Sequence, residues 1–379
     1  MSRVLFVGVF LLLVTLFLHW RFLSVTRAPA RVGRPADLLL ILLWLCAVVG
    51  FGSGVEFDPS WARGPAFVGL TWLAVVLYLF LGTVLVALIC TVVRVMFALS
   101  HRDSTAVRLR ISRVGSVVVA LVSVVAVGYG LVEAASPRVT RTQVALDRLP
   151  AEFDGLRVAL VSDIHAGPSR GAGFVRTVVD SVNAQQPDVV LLDGDLIDGT
   201  VELVGEDLEP LRDLEAPLGV FAVSGNHEFY AGDGGEWLDF WSTLDIDVLR
   251  NERTTITRDG VAIDIAGIND ATAPEPYEPN LGAALDGIDP DRFVLLMAHQ
   301  PKQAVEASEL GVDMQVSGHT HGGQIWPIRY LVPLQQPSVE GLDTIGDTTL
   351  YTTRGAGAWG PPVRVAAPPE IAMLELTRG

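Results

Sequence analysis

Four long apolar runs near the N-terminus set the strongest limit on how this chain can fold. They occupy residues 4–20, 38–52, 66–93 and 114–131. A helix of roughly 20 apolar residues is long enough to cross the hydrocarbon core of a bilayer. We therefore predict an all-α transmembrane region over residues 1–136, with four helices as the most economical count and three or five as alternatives. A secretory signal peptide is a competing interpretation of the first run, because Arg3 precedes it.

The charges of the loops between these runs predict the orientation of the chain. The first and third loops are rich in arginine, whereas the second carries Glu56 and Asp58 against Arg63. Arginine-rich loops stay in the cytoplasm, so a chain with four helices would deliver its C-terminal region to the other side. Three arginines just beyond the fourth run oppose this orientation: Arg138, Arg141 and Arg148. We expect an extracytoplasmic C-terminal domain in a multi-pass protein of the cell membrane.

Charge changes sharply after Ser136. Residues 1–136 hold 11 Arg and 5 acidic residues, and the rest of the chain holds 16 basic and 38 acidic residues. An acidic body argues against a nucleic-acid polymer as partner, because that binding depends on Lys and Arg contacts to phosphates. From Pro137 onward, short apolar runs alternate with stretches of helical spacing, which predicts a soluble α/β domain over residues 137–379.

Five polar motifs in this domain each follow a short apolar run. They are Asp163-Ile164-His165, Gly194-Asp195, Gly225-Asn226-His227-Glu228, Ala298-His299-Gln300 and Ser317-Gly318-His319-Thr320-His321-Gly322-Gly323-Gln324. The motifs contain five of the seven histidines of the chain. In an extended segment, residues two apart project to the same side, so we expect His319 and His321 to face one space. Any one of these histidines is more simply explained as structural, but the set predicts a divalent-metal site.

In chain order, the five motifs resemble those of the calcineurin-like metallophosphoesterases, and the resemblance covers residues 155–376. Pro369-Glu370-Ile371 and the residues leading to His165 are similar to a membrane-linked bacterial branch of that family. The resemblance implies a four-layer α/β sandwich, in which two mixed β-sheets are flanked by helices. It also implies two divalent metals at one edge of the strands, which would activate a shared water for in-line attack on phosphorus.

The same resemblance implies a ligand for each metal position. The first metal would be held by Asp163, His165, Asp195 and His321. The second would be held by Asp195, Asn226, His299 and His319, with Asp195 bridging. The donor set suits Mn, Fe, Zn or Ni almost equally, so the metal stays open.

His227 is the one motif histidine that this scheme does not need as a ligand. The resemblance implies that His227 is the general acid and that Asp198 orients it, with a solvated loop acid or helix cap as the simpler explanation of Asp198. Related protein phosphatases carry Arg where this chain has Gly199, which disfavours a phosphoprotein substrate. We expect Gln324 to serve the tight turn after His321, with a contact to substrate as an alternative.

The leading prediction is a membrane-anchored phosphoesterase with two metals and a phosphate-ester substrate, for which a lipid or an envelope precursor is the candidate. A phosphodiesterase of soluble nucleotides is the second hypothesis, and a non-catalytic metal-binding receptor or scaffold is the third. None of the apolar runs has a charged residue at its centre, so a transport pathway has no support. The sequence does not predict the oligomeric state.

Overall fold

The structure is a computed structural model that describes residues 2–232 and 234–379. The chain divides into two compact units. One contains the N-terminal residues up to Val132 together with Gly360–Val363, and the other contains Glu133–Trp359 and Arg364–Gly379. Each unit is described separately below.

Within residues 2–133 the structure has four long helices. They are α1 (Ser2–His19), α2 (Ala30–Gly52), α3 (Pro59–Leu99) and α4 (Thr105–Glu133). All four are long and apolar enough to cross a membrane. Three of them begin well before the predicted apolar runs, because the backbone hydrogen bonds of a helix are local and do not require apolar side chains. The start of α3 is fixed by Asp58, whose Oδ1 accepts the amide of Ser60 at 2.8 Å.

The other unit contains twelve strands and six further α-helices among its described residues. The strands are β1 (Arg138–Leu146), β2 (Leu156–Val161), β3 (Val189–Asp193), β4 (Val220–Val223), β5 (Asp247–Val248), β6 (Glu252–Arg258), β7 (Val261–Gly267), β8 (Val294–Met297), β9 (Met314–Ser317), β10 (Gly341–Ile345), β11 (Thr348–Thr352) and β12 (Glu370–Arg378). The helices are α5 (Ala172–Asn183), α6 (Val201–Leu208), α7 (Asn226–Tyr230), α8 (Gly234–Ser242), α9 (Leu281–Ala284) and α10 (Ala304–Glu309).

The described strands form two mixed six-stranded sheets. The strand order is β1-β12-β2-β3-β4-β5 in one sheet and β10-β11-β9-β8-β7-β6 in the other. Strands β2 to β5 run parallel in the first sheet, and β7, β8, β9 and β11 run parallel in the second. The parallel strands of each sheet therefore end at a common edge, from which their following loops emerge.

Burial of both sheet faces gives the unit its four layers. In β3, Val189 and Leu191 point into the core between the two sheets, while Val190 and Leu192 pack in the core that includes residues of α5, α6 and α8. A third core lies where α9 and α10 cover the second sheet. This arrangement confirms the predicted sandwich of two mixed sheets flanked by helices. Trp237 and Trp241 of α8 are fully buried in the core between the first sheet and its helices.

Strand β1 was not foreseen from the sequence. Most of its residues are exposed or half-buried, so it lacks the continuous apolar run that marks β3. It pairs in parallel with β12 over its whole length, from Arg138 opposite Glu370 to Leu146 opposite Arg378. Its partner lies more than 200 residues away in the chain, and a local pattern cannot reveal such a pairing.

Candidate metal centre

The loops that follow five parallel strands bring the polar motifs together. Asp163 follows β2, Asp195 follows β3, Asn226 follows β4, His299 follows β8 and His319 follows β9. The strand ends are level within each sheet, since Val161 pairs with Leu192 and Met297 pairs with Val316. The sheet edges thus deliver carboxylate, amide and imidazole side chains to one region, as the motif pattern predicted.

One cluster consists of Asp163, His165 and His321, all of which are buried. His321 Nε2 lies 3.1 Å from Asp163 Oδ1 and 3.1 Å from His165 Nε2. His165 Nε2 lies 3.9 Å from Asp163 Oδ1. Three atoms that can each donate a lone pair to a cation therefore converge at one point.

A second cluster consists of Asp195, His299 and His319. His299 Nε2 lies 3.2 Å from Asp195 Oδ2, and His319 Nδ1 lies 2.8 Å from Asn226 Oδ1. The same Asp195 oxygen is 3.9 Å from His165 Nε2 of the first cluster. Asp195 therefore lies between the two clusters, the position that the bridging role requires, and all seven predicted ligands lie together.

The chemistry of these donors fits divalent cations. Within each cluster the potential ligand atoms lie within 4.8 Å of one another. His299 Nε2 is buried and has no hydrogen-bond partner among the residues that the structure describes. In two of the histidines, Nδ1 contacts an oxygen that is not a predicted ligand. His165 Nδ1 lies 3.0 Å from Asp198 Oδ1, and His299 Nδ1 donates to the Asp193 carbonyl at 2.6 Å. Such outer contacts orient metal-binding histidines and select their tautomer.

The backbone of the motifs departs from the extended geometry that the sequence suggested. Asp163, His165, Asp195, His319 and His321 all have positive φ angles, between 50° and 66°. His319 and His321 lie in different clusters that meet at Asp195, so they reach one region by left-handed turns and not by the extended geometry that we expected. A left-handed residue turns the chain, and alternation of side chains applies only to extended segments. Non-glycine residues in this conformation cost about 1–3 kcal/mol each and occur preferentially at functional sites.

Two glycines allow the motif loops to approach one another closely. A Cβ on Gly225 would lie 2.3 Å from Asp195 Oδ1, and a Cβ on Gly318 would lie 2.0 Å from Ser162 Oγ. Neither position leaves room for a side chain. The glycines in these motifs are therefore explained by packing between neighbouring loops.

His227 belongs to neither predicted ligand set, although it forms a third group with His165 and Asp195 in which the potential ligand atoms also lie within 4.8 Å of one another. Its Nδ1 is 2.6 Å from Asp198 Oδ1, and its backbone amide donates to Asp195 Oδ1 at 2.8 Å. Burial opposes its protonation, but Asp195 and Asp198 outweigh burial and raise the pKa of His227 to about 9. The ring has two exposed aromatic neighbours, Tyr230 at 5.0 Å and Trp359 at 6.0 Å between centroids.

Asp198 contacts two histidines with the same carboxylate oxygen, His165 at 3.0 Å and His227 at 2.6 Å. Burial opposes ionisation of Asp198, but these two histidines hold its pKa below the usual range. The family resemblance of the motifs implied only the contact between Asp198 and His227. The structure adds a direct link between the predicted general acid and the first cluster.

Two further acids, Glu228 and Asp193, are buried next to predicted ligands. Glu228 is buried and accepts the backbone amides of Gly225, Asp195 and Leu196 at 2.7–3.1 Å. Burial and the charge of Asp195 raise the pKa of Glu228 to about 7. Burial likewise raises the pKa of Asp193 to about 8. Both residues flank predicted ligands, and the contacts of Glu228 give it a structural role.

Arg364 is a residue of this site that the sequence did not reveal. The guanidinium is fully buried, and it donates from Nη1 to the His321 carbonyl at 2.8 Å, with Nη2 3.1 Å from His321 Nδ1. Burial lowers the pKa of Arg364 to about 9. It lies in a Gly- and Pro-rich stretch with no motif around it, so no local signal marked it.

The side chain of Gln324 makes a structural contact with the backbone of Trp359. Its side-chain amide donates to the Trp359 carbonyl at 2.8 Å and accepts the Trp359 amide at 2.9 Å. Gln324 therefore holds the loop that carries Trp359 beside His227.

A polar cleft of about 390 Å³ opens next to His319. It is lined by side chains that can bind a polar ligand: Tyr230, Thr272, Gln300, Lys302, Gln335 and Gln336. Gln300 is held by Asp270, to which its Nε2 donates at 2.8 and 3.0 Å. Lys302 is the single lysine of the whole chain, and it is exposed. The cleft therefore places one cation and several amide groups beside the second cluster.

Comparison with known proteins agrees with this geometry. The family described as calcineurin-like phosphoesterase matches residues 156–323. An uncharacterized metallophosphoesterase of Helicobacter pylori is 39% identical over 64% of this chain and 64% of its own length. A protein of Danio rerio described as a transmembrane protein with metallophosphoesterase domain is 35% identical over 69% of this chain and 62% of its own length.

The chain thus spans just under two thirds of the length of these two relatives. An uncharacterized metallophosphoesterase of Bacillus subtilis is matched more completely, at 30% identity over 66% of this chain and 90% of the relative. The four long apolar helices and the transmembrane relative indicate a membrane protein. The chain belongs to the calcineurin-like metallophosphoesterase family.

Proposed function

We propose that this chain is a membrane-anchored phosphoesterase that uses two divalent metals, with His227 as general acid, to hydrolyse phosphodiester or related phosphoester bonds. The observation that carries the proposal is the convergence of two Asp/His clusters on Asp195, with His227 held beside them by Asp198. His299 Nε2 is buried 3.2 Å from Asp195 Oδ2, but among the described residues it makes no hydrogen bond of normal geometry, and a cation held by both atoms would satisfy them.

The residues that would hold the metals are those of the two clusters. Asp163, His165, His321 and Asp195 would form one position. Asp195, His299, His319 and Asn226 would form the other. Metals bound there would supply positive charge for an anionic phosphate and would make water a better nucleophile.

Two further residues of the site would handle proton transfer: His227 would protonate the leaving group, and Asp198 would orient His227. His227 would donate a proton to the oxygen of the leaving group, a task that requires a fixed imidazole with one nitrogen free to face the substrate. Asp198 fixes it through Nδ1, and Tyr230 and Trp359 flank the ring. These aromatic side chains would offer apolar surface to the leaving group beside His227.

The membrane region favours an amphiphilic substrate, and a lipid or an envelope precursor is our candidate. The arginine-rich loops favour an extracytoplasmic domain. A specific observation supports the second hypothesis, a phosphodiesterase of soluble nucleotides: the polar cleft carries Lys302 beside His319, where a second anionic group of a substrate would bind. A receptor or scaffold that only binds metal is the third hypothesis.

The test is a hydrolysis screen of the full-length chain in detergent, with Mn, Zn or Fe and with chelator. The substrates are a bis-aryl phosphate, an aryl phosphate, nucleotides and phospholipids. A His227→Asn variant should keep its metals and lose turnover, whereas His101→Asn, outside the domain, should behave like the wild type. A wild-type protein that binds metal but hydrolyses none of these substrates would favour the receptor hypothesis. Protease accessibility of the domain in intact cells tests the orientation.

A further inference from the structure

The C-terminal unit exposes large apolar side chains in one short stretch. Trp326, Ile328, Tyr330, Leu331 and Leu334 are 39–80% exposed. Among the described residues from 133 to 379, these are five of the ten large apolar side chains that are exposed. We call Trp326–Leu334 the apolar segment. An exposed apolar patch of this kind marks an interaction site.

The fold does not bury the apolar segment, but it does hold it in place. Its two short 3-10 turns, Ile328–Tyr330 and Val332–Leu334, contain no buried residue. The backbone amide of Trp326 donates to Val365 at 3.0 Å. A Cβ on Gly323 would lie 2.2 Å from the Cα of Arg329, so the segment packs directly on the turn that follows His321. The apolar side chains are thus displayed by a fixed backbone.

The charge and composition of the segment match a lipid surface. From His319 to Val339 the chain has no Asp or Glu, and its single Lys or Arg is Arg329, whose Nη2 lies 3.1 Å from Oε1 of Glu340, the next residue after this stretch. This stretch belongs to a domain that has 38 acidic residues against 16 basic ones. Tryptophan and tyrosine beside aliphatic residues and an arginine are the composition that proteins use at the boundary of a bilayer.

The chain itself supplies the lipid surface. The last long apolar helix, α4, ends at Glu133, and the first strand of the domain begins at Arg138. Because only a few residues join α4 to the domain, the effective concentration of lipid near the domain is always high. A bilayer is therefore favoured as the occupant over a soluble protein partner or a second copy of the chain.

We propose that the apolar segment binds the bilayer surface and thereby presents the phosphoester headgroup of an amphiphilic substrate to the metal clusters. The inference rests on the proposed function, because it assigns a substrate to the same metal clusters. The segment lies close to them in the chain, since it begins three residues after the His321–Gly323 turn. It names the substrate class as a lipid phosphoester in place of a soluble nucleotide.

The first test compares two substrates that release the same product. Phosphatidyl-p-nitrophenol in nanodiscs and soluble bis(p-nitrophenyl) phosphate both lose p-nitrophenol when water adds at phosphorus and a phosphorus–oxygen bond breaks. The full-length chain is embedded in nanodiscs of phosphatidylcholine and phosphatidylglycerol. Leu331→Gln/Leu334→Gln should lower kcat/KM on the lipid about ten-fold, from lost burial of two leucines, and leave the soluble substrate within about two-fold.

The control is Val305→Gln/Leu310→Gln, which changes two other exposed aliphatic residues, in α10 and at its C-cap, and should leave both activities unchanged. Equal loss on both substrates, or no loss on the lipid, would overturn the proposal.

The second test does not depend on turnover. In a Cys46→Ala/Cys90→Ala background, a nitroxide is attached at Leu334→Cys or at Leu310→Cys in the same nanodiscs. The label at position 334 should collide more with oxygen than with a nickel complex, and the label at 310 should show the reverse. The proposed bilayer contact would be refuted if the labels at 334 and 310 were equally accessible to the nickel complex. It would also be refuted if the label at 334 were shielded from both oxygen and the nickel complex. Absence of turnover on both substrates together with lipid contact at 334 would refute the proposed function and leave the lipid contact standing.

Discussion

Replacement of Asp198 by asparagine is the sharpest perturbation of this site, because one carboxylate oxygen contacts two imidazoles. Asp198 Oδ1 lies 2.6 Å from His227 Nδ1 and 3.0 Å from His165 Nδ1. Asparagine keeps the size of the side chain but replaces a charged acceptor by a neutral one. A hydrogen bond to a charged group contributes about 1.5–3 kcal/mol, so loss of this stabilisation at His227 corresponds to a fall in kcat of roughly 10- to 100-fold.

The same substitution should also weaken metal binding at the first cluster. His165 keeps its cluster neighbours, and loss of an outer carboxylate contact typically lowers metal affinity about 10-fold or more. The assay is steady-state hydrolysis of bis(p-nitrophenyl) phosphate at saturating Mn, with metal content measured by mass spectrometry. Asp198→Asn should be slow even when fully loaded. His227→Asn should be slow with unchanged metal affinity.

The control is Asp213→Asn, which neutralises an exposed carboxylate paired with Arg176 and should change neither quantity. An Asp198→Asn protein that turns over within two-fold of the wild type would refute the claim that Asp198 orients His227.

Four further outcomes are expected. Glu228→Ala should lower the free energy of unfolding by about 3 kcal/mol or more, because three buried amides lose their acceptor; denaturant titration measures it. Gly225→Ala should displace Asp195 and weaken metal binding about 10-fold by calorimetry, whereas Gly173→Ala, with open space at its Cβ, should not. Chelation should abolish turnover and lower the melting temperature, and Mn should restore both, since metal at 100 times its Kd stabilises by about 2.7 kcal/mol. Lys302→Gln should raise KM for an anionic substrate about three-fold without changing kcat, because Lys302 lies at the cleft rim; an unchanged KM would exclude this contact.

The amino-acid sequence by itself determined which residues meet. The five motifs each follow an apolar strand, and parallel strands of one sheet end at a common edge, so the motifs within each sheet had to meet. The four apolar runs were equally informative, because bilayer thickness sets the length of a spanning helix. These features were readable because each depends on residues close together in the chain.

Only the tertiary structure decided how the motif residues are arranged. The left-handed turns send His319 and His321 into different clusters, and they exist because the loops pack against one another at Gly225 and Gly318. Asp198 reaches His165 as well as His227, and Arg364 reaches His321 from 43 residues away. The sequence also did not predict that the apolar segment is exposed, because an apolar stretch has the same composition whether or not the fold buries it. Each of these features depends on contacts between residues distant in the chain, which a local pattern does not encode.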